Sequence, residues 1–425
     1  MCHMRTRVFI FLLLAKASAW AQDTSYAHKV LYELCSEKYH GRGYYKNGEE
    51  KAGKYIAKEM KKLGLKPSNN GSFYQKFDLN GNQINKAELK INGQIIPLGS
   101  AWLPSPNMDE NVTIIYSAFD WLTIDTGMTI SDLKKSVGNI TGVLFVDTLA
   151  PGCKISQRDI LNAVKGTGVS TVVFMTANDF NYNVSDGSNS SQDFTICYKY
   201  LPKELRNIKK WNKVEMHAKA KVKKHKLCNV LGTIEGKNTD STIIICAHYD
   251  HLGQVGKDAI FYGANDNACG IAMLLDLARY YKENKPTYNI MFIAFAAEEA
   301  GLIGSNVYIN NPVVPLSRTK FVLNLDLVGT GQTGATVVNA TIFPDEYAKL
   351  VAVNNKGGFI PALHRRGKAA NSDHYWFTEK GIPSFFIYFE GTRSSYHDVF
   401  DIPETLPLVK FMDGRNLFIQ FVNSL

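Results

Sequence analysis

Four near-continuous apolar runs in the C-terminal half, at 242–247, 288–296, 321–325 and 384–389, constrain this chain more than any other feature. Runs of that length and composition are what strands buried on both faces require. Segments of helical spacing separate them, for instance Ile271, Leu274, Leu275 and Ala278 on one face before Arg279. The alternation predicts an α/β fold, a mostly parallel central sheet sandwiched by helices. In sheets of that kind, sites form beyond the carboxyl ends of the strands.

That is where the chemistry of this sequence is concentrated. His248-Tyr249-Asp250 ends the first run, Glu298-Glu299 the second and Asp326 the third, and the last leads through Gly391 to Tyr396-His397. Gly263 through Gly270, with Asp266 inside it, opens the helix after the first run. Singly, each has an ordinary explanation: an Asp before a helix caps it, and a strand-end His is commonly just hydrogen-bonded. Ordinary explanations do not account for all of them falling at the strand ends of one sheet.

A pair of divalent ions needs imidazole nitrogen and carboxylate oxygen, with positions left for water and substrate. One carboxylate must bridge the ions, which lie about 3.5–4 Å apart in sites of this type, and another acid must stay off them to take a proton. His248, Asp266, Glu299, Asp326 and His397 supply five ligands, and Glu298 is the spare acid.

The N-terminal half reads differently. Residues 25–66 are predicted helical, with Ala52, Ile56, Met60 and Leu63 in register and Gly64 ending the pattern before Pro67. Residues 80 to about 224 carry short strand-like runs at 111–116, 142–146 and 170–174, with a helical stretch around 160–165 and no concentration of His, Asp and Glu. The division expected is therefore 1–21 a signal peptide, 22–79 a helical start of the catalytic domain, 80–224 an inserted smaller β-rich domain, and 225–425 the catalytic domain.

Residues 1–21 have the three parts of a secretory signal: Arg5 and Arg7, a short apolar core from Val8 to Ala15, and Ala19-Trp20-Ala21 before Gln22. The apolar core falls far short of the ~20 residues a spanning helix needs, and no later stretch reaches it. Export to periplasm or medium is the expectation. Of the six cysteines beyond Cys2, Cys246 sits in an apolar run and reads as a core residue. Cys153 with Cys197 is the pair proposed for a disulfide.

Composition narrows the rest. With 425 residues, 45% hydrophobic and 20% charged, the chain is neither collagen-like nor disordered, and it is longer than one core usually supports. Without Arg5, Arg7 and Lys16, 45 basic residues face 39 acidic ones. The densest basic run, 219–226, follows alternating Val214, Met216, Ala218, Ala220 and Val222, so it reads as a solvated strand face and not as a nucleic-acid surface.

At the strand-end residues the chain resembles the di-zinc aminopeptidases of clan MH, the family of exported bacterial leucyl aminopeptidases. The resemblance runs through Asn229-Val230, His248 to Gly253, Gly263 to Gly270, Glu298 to Ser305, Asn324-Leu325-Asp326, Ser372-Asp373-His374 and Tyr396-His397, with Gly41-Arg42-Gly43 similar to the family's opening. The central segment is similar, more loosely, to a protease-associated domain. The resemblance implies two Zn2+ per chain, one on His248 and Asp326, the other on Glu299 and His397, with Asp266 shared and its peptide bond to Asn267 cis. It further implies Glu298 as general base, Asp250 hydrogen-bonded to the other nitrogen of His248, and Tyr396 donating to the oxyanion.

Asn265 and Cys269 depart from the commonest family residues, the usual Asp after the last His corresponds to Asp401, and Asp398 has no counterpart. The substrates implied are peptides with a free N-terminus, with Tyr262, Tyr375, Trp376, Phe377 and Phe389 as aromatic candidates for a side-chain pocket. Three alternatives stand beside this. A glutaminyl cyclase of the same fold would have Trp where Tyr396 stands. A carboxypeptidase would grip its substrate with arginines such as Arg365, Arg366 or Arg393. A binding homologue would have lost ligands that are all present here. Side-chain preference and oligomeric state are not encoded in any readable pattern.

Overall fold

The computed structural model describes residues 23–106, 108, 111–116, 119–147, 154–175, 181–184, 195–199, 213–392 and 395–425. Residues 1–21, expected to be a signal peptide, lie outside the described residues, as do Cys153, Arg393 and the side chain of Cys197.

The central sheet is mixed. In spatial order its main strands are Leu363–Arg365, Gly334–Val338, Ser384–Glu390, Thr319–Leu325, Asn238–His248, Tyr288–Phe295, Val214–Ile234, Tyr74–Ile91 and Gln94–Ile96, with Lys66–Pro67 and Asn111–Tyr116 also paired to Val214–Ile234. The four that carry the apolar runs are mutually parallel: Asn238–His248 pairs with both Tyr288–Phe295 and Thr319–Leu325, and the latter with Ser384–Glu390. Antiparallel strands flank this parallel centre on both sides. All four carboxyl ends therefore open on the same edge.

Strand periodicity distributes one run between two cores. Ile243, Ile245 and Ala247 point into the layer formed with helices Ser25–Leu34, Gly48–Lys62, Cys269–Glu283 and Phe411–Ser424. Ile244 and Cys246 point the other way, against Tyr308, Ile309 and Phe377 of helices Ile303–Asn310 and His374–Glu379. Cys246 and Cys269 are fully buried free thiols, and Cys35 is a free thiol buried but for a few per cent.

Residues 25–66 are not one helix. Helices Ser25–Leu34 and Gly48–Lys62 are separated by two short tight turns in which His40, Gly41, Arg42, Lys46 and Asn47 adopt left-handed backbone. The cause is tertiary: a Cβ on Gly41 would collide with the backbone oxygens of Gly253 and Phe261, so this stretch is shaped by the loop it packs on.

Residues 80 and 224 fall inside uninterrupted strands. Tyr74–Ile91 and Val214–Ile234 form a long antiparallel ribbon, with one irregularity between Lys219 and Ala220, that runs from the central sheet outward. Val214, Met216, Ala218 and Ala220 face inward, and Val222 is exposed. Beyond the ribbon lies a second sheet, ordered Trp102–Pro104, Thr195–Lys199, Gly168–Met175, Thr141–Asp147 and Phe119–Thr123, mostly parallel. Helices Ile130–Val137 and Gln157–Val164 pack on it, each started by a capping box, Thr129 with Asp132 and Ser156 with Asp159. Among the described residues no helix is long and apolar enough to cross a membrane.

Candidate metal centre

His248 is the last residue of its strand, Asp326 follows Leu325 directly, and Glu298-Glu299 come three residues after Phe295. Ala297, Leu327 and His397 take left-handed backbone, at φ of 53°, 56° and 54°. Non-glycine residues adopt that conformation sparingly, and here it turns the chain sharply where each site side chain emerges. Gly263 does the same for Asp266: a Cβ there would strike the Asp266 carbonyl and the His251 ring. The Asp266–Asn267 peptide is cis.

Four of the expected residues converge around the fifth, Asp266. Its Oδ1 lies 3.3 Å from His248 Nε2 and its Oδ2 lies 3.1 Å from His397 Nε2. His248 Nε2 is also 3.4 Å from Asp326 Oδ1, and His397 Nε2 is 3.2 Å from Glu299 Oε2. Two ligands of one tetrahedral zinc, each about 2.0–2.1 Å from it, stand about 3.4 Å apart. The four spacings fit that value, and Asp326 Oδ1 is buried without a hydrogen-bond partner. The donor set thus suits two ions that share Asp266. Glu298 lies beside the first half: one ligand atom each from His248, Glu298 and Asp326 falls within 4.8 Å of the others.

Electrostatics point the same way. Burial works against the imidazolium of His397, yet Glu299 and Asp266 outweigh it and hold its pKa up at about 11. Burial likewise opposes the charge on Asp266, but hydrogen bonds with His248 and His397 hold it well below the usual carboxylate range. Burial raises Glu298 well above that range, and although His248 opposes it, Glu299, Asp373 and Asp326 add to the rise. Packed carboxylates of this kind need cations among them.

Several supporting roles were not read from the sequence. Asp250 was expected to hydrogen-bond His248 Nδ1 through its carboxylate, but that oxygen is 3.7 Å away. The ring nitrogen donates to the main-chain carbonyl of Asp250 at 3.2 Å instead. The carboxylate is turned to the backbone, accepting from Glu298 N at 3.0 Å and Glu299 N at 3.1 Å. Glu49 accepts from Ala297 N at 3.0 Å. Fully buried Arg42 donates to the carbonyls of Tyr249, Leu34, Tyr262 and Gly263 at 2.8, 3.2, 2.6 and 2.7 Å. Asp401 accepts the amides of Asn265 and Asp266 at 2.9 and 3.0 Å. Ser372 Oγ donates to Asp326 Oδ2 at 3.2 Å. Asp398 closes the turn after His397 by accepting from Phe400 N at 2.7 Å.

Tyr396 stacks on His397, ring centroids 3.9 Å apart, and remains 44% exposed. Of the aromatic candidates, Phe377 and Phe389 are core, whereas Tyr262, Tyr375 and Trp376 are half-buried. Arg365 lies over the Tyr347 ring and Arg366 reaches the Tyr388 hydroxyl; both are exposed and neither joins the cluster.

Residues 229–419 match the model of peptidase family M28. This segment is a peptidase family M28 domain. It contains all five clustered metal-ligand candidates and Glu298. Aminopeptidase YwaD of Bacillus subtilis is 33% identical over 165 residues, which cover 37% of this chain and 34% of that protein. The vacuolar membrane protease of Saccharomyces cerevisiae is 29% identical over 179 residues, 41% of this chain and 17% of that protein. The match thus spans 34% of one relative's length and 17% of the other's. In fold, this chain resembles a zinc aminopeptidase from Bacillus subtilis, with a TM-score of 0.69 at 20% identity over 94% of both chains. An aminopeptidase from Aneurinibacillus sp. strain AM-1 follows at 0.61 and 22%, covering 94% of this chain and 93% of that one.

Proposed function

We propose that this chain is an exported di-zinc aminopeptidase that removes the N-terminal residue from peptides. The observation that carries the reading is the double engagement of Asp266, one oxygen toward His248 and the other toward His397. A carboxylate placed between two imidazoles, one oxygen toward each, suits a ligand shared by two ions. His248 and Asp326 would hold one zinc, Glu299 and His397 the other, and Asp266 both. When bound, the ions polarise the scissile carbonyl and lower the pKa of water.

The chain's own groups do the rest. Glu298 accepts a proton from the attacking water and returns it to the leaving amine, a role suited to a carboxyl held above its usual range. Tyr396 donates to the oxyanion that develops. Acids near the metals, Glu298 and Asp326 among them, hold the free α-amine. Residues 1–21 direct the chain out of the cytoplasm.

The test is hydrolysis by the zinc-loaded mature chain of a panel of aminoacyl chromogenic substrates, their N-acetylated counterparts and peptides with N-terminal glutamine. Release from free-amine substrates alone supports the reading. Silence with two zincs bound contradicts it in favour of carboxypeptidase chemistry, and pyroglutamate formation with one zinc contradicts it in favour of a cyclase.

A further inference from the structure

His251 is 1% exposed and has no place among the ligands above, yet it touches one of them. Its Nδ1 stands 2.7 Å from Glu299 Oε1, while the other oxygen of that carboxylate faces His397 Nε2 at 3.2 Å. We propose that His251 is a positioning residue for the second zinc: its Nδ1–H engages Glu299 Oε1 and leaves Oε2 as the oxygen that coordinates. The inference rests on the di-metal reading and deepens it.

Spacing separates this role from that of a further ligand. Ligands sharing a tetrahedral zinc stand about 3.4 Å apart, as the four pairs around Asp266 do. The 2.7 Å between His251 and Glu299 is a charge-assisted hydrogen bond instead, and His251 Nδ1 is 4.0 Å from Asp266. A carboxylate only accepts, so the proton is on Nδ1.

The ring is held in that orientation. Its own amide donates to the Arg42 carbonyl at 3.3 Å. One edge lies against Gly263, where even a Cβ would collide with it. The ring meets His397 edge-on, with centroids 5.9 Å apart at 70°. A carboxylate that is free to rotate could offer a zinc either oxygen; His251 removes that choice before the ion arrives. Partners of this kind are worth about 10–100-fold in metal affinity.

The experiment is zinc titration of the metal-free protein against a competing chelator, for wild type and His251→Asn, His251→Gln and His251→Phe, with the melting temperature of each metal-free variant recorded. Two ions on the wild type uphold the di-metal reading; fewer overturn it and this inference with it. Given two, His251→Asn, whose amide N–H takes the place of Nδ1–H, should keep both affinities within about threefold. His251→Gln and His251→Phe should weaken one ion about 10–100-fold and spare the other. Wild-type affinities in His251→Gln overturn the proposal, and so does a loss in His251→Asn as large as in His251→Gln. The Asn–Gln pair decides even if the Phe variant does not fold.

Discussion

Asp250 holds the backbone of Glu298, accepting its amide proton at 3.0 Å, and with its second oxygen accepts that of Glu299 at 3.1 Å. Glu49, at the start of helix Gly48–Lys62, takes the preceding amide, that of Ala297. Three successive N–H groups on a left-handed turn are thus satisfied by two buried carboxylates. That arrangement fixes the backbone from which Glu298 and Glu299 project, and the proposed mechanism gives them different tasks, one off the metals and one on them.

Asp250→Asn should therefore reduce activity while the fold persists. An asparagine offers one acceptor oxygen and turns an N–H toward the other amide, so the turn loses one bond and gains a repulsion. The expected fall in kcat/KM is about 10–100-fold, the range found for groups that orient metal ligands. Steady-state kinetics on an aminoacyl substrate, with circular dichroism as the folding control, measure it; wild-type kcat/KM would contradict this role.

Arg42→Met should destabilise the whole catalytic half. The guanidinium joins carbonyls from the first helix and from both loops that present His248 and Asp266. Each buried carbonyl left unpaired costs about 1–3 kcal/mol, so a loss of about 3 kcal/mol or more is expected. Chemical unfolding monitored by tryptophan fluorescence measures it. A shift below about 0.5 kcal/mol, the scale of a neutral surface change, would contradict it.

These two cases mark the limit of what the primary sequence makes legible. The strands and the five clustered residues are readable because apolar runs are local and each ends in, or leads on to, the side chains that matter. Arg42 and Glu49 are not, since all their partners but Leu34 lie more than 200 residues away and an arginine or glutamate in a helix-forming stretch looks like surface. The break between Leu34 and Gly48 is hidden for the same reason: helical spacing on either side says nothing of a loop, Gly253 to Phe261, that folds over it. For Asp250, a carboxylate two residues from a histidine suggests a side-chain contact. The turn at 297–299 claims that carboxylate and leaves the histidine to a carbonyl.

His374 should make the protein acid-sensitive. Burial, only partly offset by contacts with the backbone of Ser372 and Ala369, pushes its pKa down from 6.5 to about 3. The folded state therefore binds fewer protons than the unfolded one between those values. The stability is fully present above pH 6.5 and is lost as pH falls toward 3, by about 1.4 kcal/mol per pH unit from this residue. His374→Phe should flatten that slope. Denaturant unfolding at pH 7, 6 and 5 tests it, and equal slopes for wild type and variant would count against it.

The central claim is that Glu298 moves the proton while the other five residues hold the metals, and Glu298→Gln addresses it most directly. Zinc content and turnover of an aminoacyl chromogenic substrate should be measured on one preparation of the variant. The account predicts two zincs per chain with kcat reduced about 10²–10⁴-fold, the usual contribution of a general base. Near wild-type turnover, or loss of a zinc along with the activity, would contradict it.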